Sequence, residues 1–194
     1  MGNFSQKALK LILDAEGLDQ PGQWPGGLSG ITLGIGYDLG YVTIDQFESD
    51  WDEFLTKPQL ERLRAAVGLI GIKAKNRAPQ FADVRIKRAD AERVFTERTL
   101  PLHQFRAKQA FPGLEKLPVD AQGALVSLVF NRGTSMVGER RREMRAIKDA
   151  VPKGDLKGIA NQIRSMKRLW IGKGLDGLLK RRDAEADLVE SAIT

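Results

Sequence analysis

Residues 30–37 read Gly30-Ile31-Thr32-Leu33-Gly34-Ile35-Gly36-Tyr37. Small or polar residues alternate with apolar ones at a period of two, the pattern of a half-buried strand. Around this stretch, between Gly17 and Gly40, lie eight of the chain's 20 glycines together with Pro21 and Pro25, a density that no ordinary helix tolerates. The spacing therefore predicts a short β-ribbon, and it is the one exception in a chain that otherwise reads as helix. The fold class that follows is α+β, mostly α-helical.

Toward the N-terminus, apolar residues recur at helical spacing from residue 4 to residue 15, and Gly17 is a stop signal. This predicts a helix over residues 4–16 with Glu16 on its last turn. Toward the C-terminus, Thr43 followed by Gln46 and Thr56 followed by Gln59 are capping-box patterns, the second with Pro58 in the first turn. They predict helices over about 44–55 and 57–67. Gly68 and Gly71 interrupt the pattern, and a longer helix over about 88–109 closes at Pro112-Gly113. Residues 119–130 are almost wholly apolar and predict a core helix. Amphipathic segments over about 138–150, 155–167 and 175–191 complete the chain, and there is no internal repeat.

With 194 residues, 42% hydrophobic and 29% charged, the chain has the composition of a folded domain rather than a disordered or collagen-like one. It has no cysteine and a single histidine, His103, which excludes disulfides, thiolate chemistry and multi-histidine metal sites. No apolar stretch approaches the roughly 20 residues of a membrane span, and the first residues lack the charged and apolar regions of a signal peptide. The expectation is synthesis in the cytoplasm without a cleavable signal. The net charge is +6, and all of the excess lies after residue 120, where 15 Lys and Arg face 9 Asp and Glu. Such a surface favours anionic partners. The Arg140-Arg141-Arg142 run, flanked by Glu139 and Glu143, reads as a solvated helix face.

Glycine-rich loops raise phosphate binding first. The ribbon lacks the Gly-Lys-Ser/Thr of a P-loop, and its third glycine, Gly40, is misplaced for a dinucleotide fingerprint. Glu16 is more informative. Leu13, Ile12 and Leu9 share its helix face, whereas Asp14 looks back on Leu11, Lys10 and Lys7. A carboxylate on an apolar stripe is desolvated, which raises its pKa toward the range of a general acid; fraying of the helix end would instead release it into water. Asp38, close in sequence to Thr32 and Tyr37, is a second acidic candidate. Two carboxylates and a hydroxyl suit glycoside hydrolysis, in which one carboxyl group protonates the leaving oxygen and the other attacks the sugar or activates a water. Trp24, Tyr37 and Tyr41 are amphipathic rings suited either to sugar faces or to the core.

These residues resemble the phage-type lysozymes. The helix ending in Glu16-Gly17, followed by Thr32-Leu33-Gly34-Ile35-Gly36, is similar to that family's catalytic Glu and Thr-x-Gly-x-Gly. The segment from Val126 to Gly133 is similar to its central helix with a Phe-Asn-x-Gly ending, and the segment from Gly177 to Glu185 to its Gly-Leu-x-x-Arg-Arg-x-x-Glu. Residues 45–115 match only in helical character. One departure stands out: the family's aspartate, about six residues before the threonine, is here Gly26. An aspartate six residues after the threonine, Asp38, matches the arrangement of the bacteriocin pesticin and its relatives. The family's histidine after the second ribbon glycine is Tyr37.

The resemblance implies one lysozyme-like domain over residues 1–194. It would have a small lobe with the ribbon (about 17–87), a linking helix (88–109), and a helical lobe (about 113–194) that also holds the N-terminal helix. It implies a muramidase cutting the β-1,4 bond between N-acetylmuramic acid and N-acetylglucosamine, with Glu16 as general acid and Asp38 and Thr32 positioning the water. Arg182 would pair with the catalytic glutamate, and Asn131, Tyr37 and Trp24 would bind substrate or support the site. No metal or cofactor is implied. The partner would be peptidoglycan, with an immunity or inhibitor protein as a further candidate, and the chain would act as a monomer, without nucleic acid or membrane insertion, in the periplasm or on the wall. The competing reading is a non-catalytic glycan- or protein-binding module on the same fold.

Overall fold

The computed structural model describes residues 4–193. The chain divides into two compact units: Glu16–Pro101, and Leu102–Thr194 together with the N-terminal segment through Ala15. The helical run α1 (Gln6–Ala15) belongs to the second of these.

In the unit Glu16–Pro101, β1 (Thr32–Leu33) and β2 (Tyr37–Asp38) form an antiparallel ribbon with Thr32 opposite Asp38 and Leu33 opposite Tyr37. Asp19 adds an isolated bridge to Gly34 on the outer side of β1. The helices α2 (Ile44–Trp51) and α3 (Lys57–Arg64) start where the capping patterns lie. The Gln46 N–H donates to Thr43 Oγ1 at 3.2 Å, and the Thr56 N–H to Gln59 Oε1 at 2.9 Å. Both helices end a few residues earlier than the periodicity suggests. A helix that the sequence does not announce, α4 (Gly71–Arg77), follows the glycines read as interruptions. Its N-cap is Ile70, which has no side-chain oxygen to offer, so no capping signal precedes it. Leu33, Ile35, Leu39, Phe47, Trp51, Leu63, Phe81 and Val84 are buried and supply the unit's core.

The predicted linking helix is three pieces: α5 (Arg88–Val94), a π-helical turn (Phe95–Thr99) and α6 (Leu100–Ala110). The cause is Pro101. Inside a regular α-helix its ring would strike the carbonyl four residues back, that of Glu97. Widening the preceding turn, so that the Leu100 N–H bonds to the Phe95 carbonyl, takes that carbonyl out of the way. The boundary between the two units falls just after this proline.

In the second unit, α7 (Val119–Arg132) is buried along most of its length, as its composition requires. Against it lies α1, at a closeness set by Gly123: a Cβ there would stand 2.3 Å from the Ala8 Cβ. Ser5 Oγ donates to Asp120 Oδ1 at 2.6 Å at the same contact. The last three helices are α8 (Arg142–Ala150), α9 (Leu156–Ser165) and α10 (Asp176–Glu190), with α10 packed on α9, α7 and α1. Arg140 and Arg141 precede α8 in a 3-10 turn, and Arg142 pairs with Glu139 at 3.1 Å and Glu143 at 3.0 Å.

At the α7–α10 contact sits a buried polar cluster. Glu185 Oε1 accepts from Ser127 Oγ at 2.6 Å, Arg182 Nη2 at 2.8 Å and Arg181 Nε at 3.3 Å. Glu185 and Arg182 are fully buried. Burial pushes the Glu185 carboxyl upward, against Arg182, Arg181 and the Ser127 hydroxyl, which favour its charged form. The guanidiniums of Arg132 and Arg182 lie 4.9 and 5.9 Å from the centre of the Trp170 ring, whose π-face receives the charge. Among the described residues, no helix is long and apolar enough to cross a membrane.

Candidate active site

The ribbon places Thr32 and Asp38 directly across from each other, so their side chains share one face. Thr32 is buried, at 5% exposure, and Asp38 is half-buried. Asp38 has a second duty. Its Oδ1 accepts the backbone N–H groups of Gly30 at 2.9 Å and Gly40 at 2.8 Å, and its Oδ2 the Gly30 N–H at 3.1 Å. It thereby caps the 3-10 turn Leu39–Tyr41 and ties the two ends of the ribbon together. Gly30 has to be glycine for this: a Cβ would stand 2.3 Å from Asp38 Oδ1 and 2.4 Å from the Gly40 nitrogen. A Gly30→Ala chain is expected to lose about 1–3 kcal/mol of stability, the cost of forced overpacking, read as a lower urea midpoint for unfolding. An unchanged midpoint would mean that the carboxylate clamp is slack.

Glu16 is the residue directly after α1, which closes at Ala15, one position before the predicted end. It is half-buried, and its carbonyl accepts from Arg88 Nη1 at 3.4 Å. Arg88 also holds Glu92 at 2.6 Å. Asp14 is exposed and pairs with Lys10 at 2.6 Å, as a surface carboxylate does. Glu16, Thr32 and Asp38 all belong to the unit Glu16–Pro101.

A third acid joins them. The backbone of Asp19 is bonded both ways to Gly34, at 2.7 and 2.9 Å, and its Oδ2 accepts the Gly36 N–H at 3.3 Å. Burial pushes the Asp19 carboxyl upward; the Gly36 hydrogen bond opposes this, and the nearby charge of Asp38 adds to it. Sequence reading passes over Asp19, because a two-residue bridge to Gly34 leaves no periodic signal around it.

The aromatic candidates separate. Tyr37 is 7% exposed, stacks edge-on against Trp51 at 5.6 Å, and donates its hydroxyl to Asp50 Oδ2 at 2.8 Å. Burial, then Asp50, push its phenol well above the usual tyrosine range, so it stays protonated. Of the two parts foreseen for it, this geometry is that of a support for the ribbon. Trp24 is half-buried, with Nε1 donating to the Ser29 carbonyl at 2.9 Å and the Lys75 ammonium 5.7 Å from its ring centre. Tyr41 is 66% exposed and is held by its hydroxyl to the Leu28 carbonyl at 3.0 Å. In the other unit, Asn131 is exposed near the end of α7. Arg182, buried under α7 and beside Trp170, bonds Glu185 one turn on in its own helix at 2.8 Å.

A mostly helical α+β chain with one small antiparallel ribbon near its start has the lysozyme-like class of fold. The chain belongs to the phage lysozyme family, whose model matches residues 57–185, about two-thirds of its length. That family points to a glycoside hydrolase acting on peptidoglycan. The matched span contains α7 and the Gly177–Glu185 motif and begins after the ribbon, so it includes none of Glu16, Thr32 and Asp38. Comparison with curated proteins finds no match.

Proposed function

We propose that the protein is a muramidase, hydrolysing the β-1,4 bond between N-acetylmuramic acid and N-acetylglucosamine. Glu16 donates a proton to the glycosidic oxygen as the bond to the muramic anomeric carbon breaks. Thr32 and Asp38, paired across the ribbon, hold the water whose oxygen bonds to that carbon. The observation that carries the reading is the position of Glu16: a half-buried acid at the close of α1, in the same compact unit as a ribbon whose hydroxyl and carboxylate share a face. Trp24 and Tyr41 offer rings for sugar faces, and Asn131 is a further candidate contact. The protein acts on the wall or in the periplasm, as a monomer without metal or cofactor, and an immunity or inhibitor protein is the partner to look for.

The second reading, a module that grips glycan without cutting it, draws on Gly26, which stands where the family's usual aspartate would be. Incubation with dye-labelled, purified peptidoglycan separates the two. Soluble dye is the result expected here; protein sedimenting with the wall and no dye released would favour the binding module.

The basic C-terminal stretch, 15 cations against 9 acids after residue 120, suits attraction to carboxylate- and phosphate-bearing envelope polymers. At moderate salt the Debye length shrinks to about 8 Å, so lysis is expected to weaken steadily as sodium chloride rises. A rate of dye release indifferent to salt would remove the electrostatic part.

A further inference from the structure

We propose that Asp19 is a further catalytic carboxylate, holding the attacking water jointly with Asp38. The inference rests on the hydrolase reading above and extends it to a residue outside the family motif.

The pairing of the ribbon brings the two acids together. Asp38 lies opposite Thr32 on β1, and Asp19 lies opposite Gly34 on the other side of the same strand, two residues along. Asp19 is thus carried at the turn end of the ribbon that holds Thr32 and Asp38, near enough for the charge of Asp38 to act on its carboxyl. Gly34 takes the left-handed backbone of that turn, with φ +60°. The backbone of Asp19 is fixed by two hydrogen bonds to Gly34, and its Oδ2 by the Gly36 N–H.

The two carboxylates differ in how far they are already committed. Asp38 takes three backbone N–H contacts at 2.8–3.1 Å and holds the ribbon closed with them. Asp19 takes one, at 3.3 Å, and its Oδ1 has no donor among the described residues. An oxygen with a spare lone pair, on a carboxylate that is half-buried and rigidly carried, is suited to receive a hydrogen bond from water. Partial burial and the charge of Asp38 make Asp19 the more basic of ordinary aspartates, which favours proton acceptance. In the reaction, the water oxygen bonds to the anomeric carbon and one water proton passes to the carboxylate pair. The glycosidic oxygen leaves with the proton of Glu16, and charge balances without any further reagent.

Asp19→Asn tests this on purified peptidoglycan, with kcat expressed per folded molecule from a parallel thermal melt. The expected result is a loss in kcat of at least about 10-fold, on the low side of general-base catalysis because Asp38 remains. Apparent KM and the melting midpoint should stay unchanged, and Asp19→Glu should recover part of kcat. Wild-type kcat per folded Asp19→Asn molecule overturns the proposal, and so does a loss that appears in KM or in folding alone. Glu16→Gln, run beside it, keeps the two ideas apart. Activity retained in Glu16→Gln sinks the hydrolase reading, whereas an inactive Glu16→Gln beside a fully active Asp19→Asn sinks only the part given to Asp19.

Discussion

Glu16→Gln should lower the rate of peptidoglycan hydrolysis by a factor on the order of 10²–10⁴, the contribution of a positioned general acid, while the thermal melt stays where it was. Glutamine has the length and shape of glutamate and an oxygen that accepts the same hydrogen bonds, so little in the packing after α1 is disturbed. What it lacks is a proton to give to the glycosidic oxygen. The bond would then have to break with an unprotonated sugar alkoxide as leaving group, and the barrier rises accordingly. The variant should still sediment with insoluble peptidoglycan, because binding by the rings and the basic surface is intact. Initial rates of dye release, set against the sedimentation assay, check both halves. A folded Glu16→Gln protein with wild-type turnover would remove Glu16 from the chemistry.

Glu185→Ala should be the most damaging change to the fold, at about 3–5 kcal/mol, the cost of breaking a buried ion pair by removing one partner. Glu185 gathers Ser127, Arg181 and Arg182 onto one oxygen. Without it, the buried Arg182 guanidinium loses the carboxylate it bonds at 2.8 Å, and the Ser127 hydroxyl loses its acceptor. Trp170 relieves only part of the strain, since its ring already faces Arg132 as well as Arg182. For a chain of this length the loss corresponds to a fall in melting midpoint on the order of 10 °C. A scanning melt of Glu185→Ala that moves by only a degree or two would mean the cluster is neutral to stability.

Much of this architecture is legible in the sequence, for reasons that particular residues make plain. The ribbon is readable because Gly30 to Tyr37 keeps a strict period of two, and α2 and α3 because Thr43 and Thr56 bring their own caps. The core helix α7 is readable because it carries few polar residues. Other features depend on contacts between distant residues. The sequence leaves Tyr37 open between a sugar face and the core, because its ring meets Trp51 and its hydroxyl Asp50 only through the pairing of Leu33 with Tyr37. The bond of Arg182 to Glu185 depends on α10 folding onto α7, which no spacing in the sequence announces. Asp19 is invisible for a related reason: what makes it interesting is its bridge to Gly34 and its nearness to Asp38. Helix α4 is missed because Ile70 sends no capping signal, and the π-turn because a proline's effect on the preceding turn is a matter of backbone register.

The reaction is defined by which glycan bond is cut and by what ends the cut leaves. Purified peptidoglycan digested by the protein, reduced with borohydride and hydrolysed to its sugars, reveals the new chain ends. Muramitol as the new reduced sugar is the predicted result, since water ends on the anomeric carbon of N-acetylmuramic acid. New ends of glucosaminitol or of anhydro-muramic acid, or no new ends from a folded protein, would contradict it.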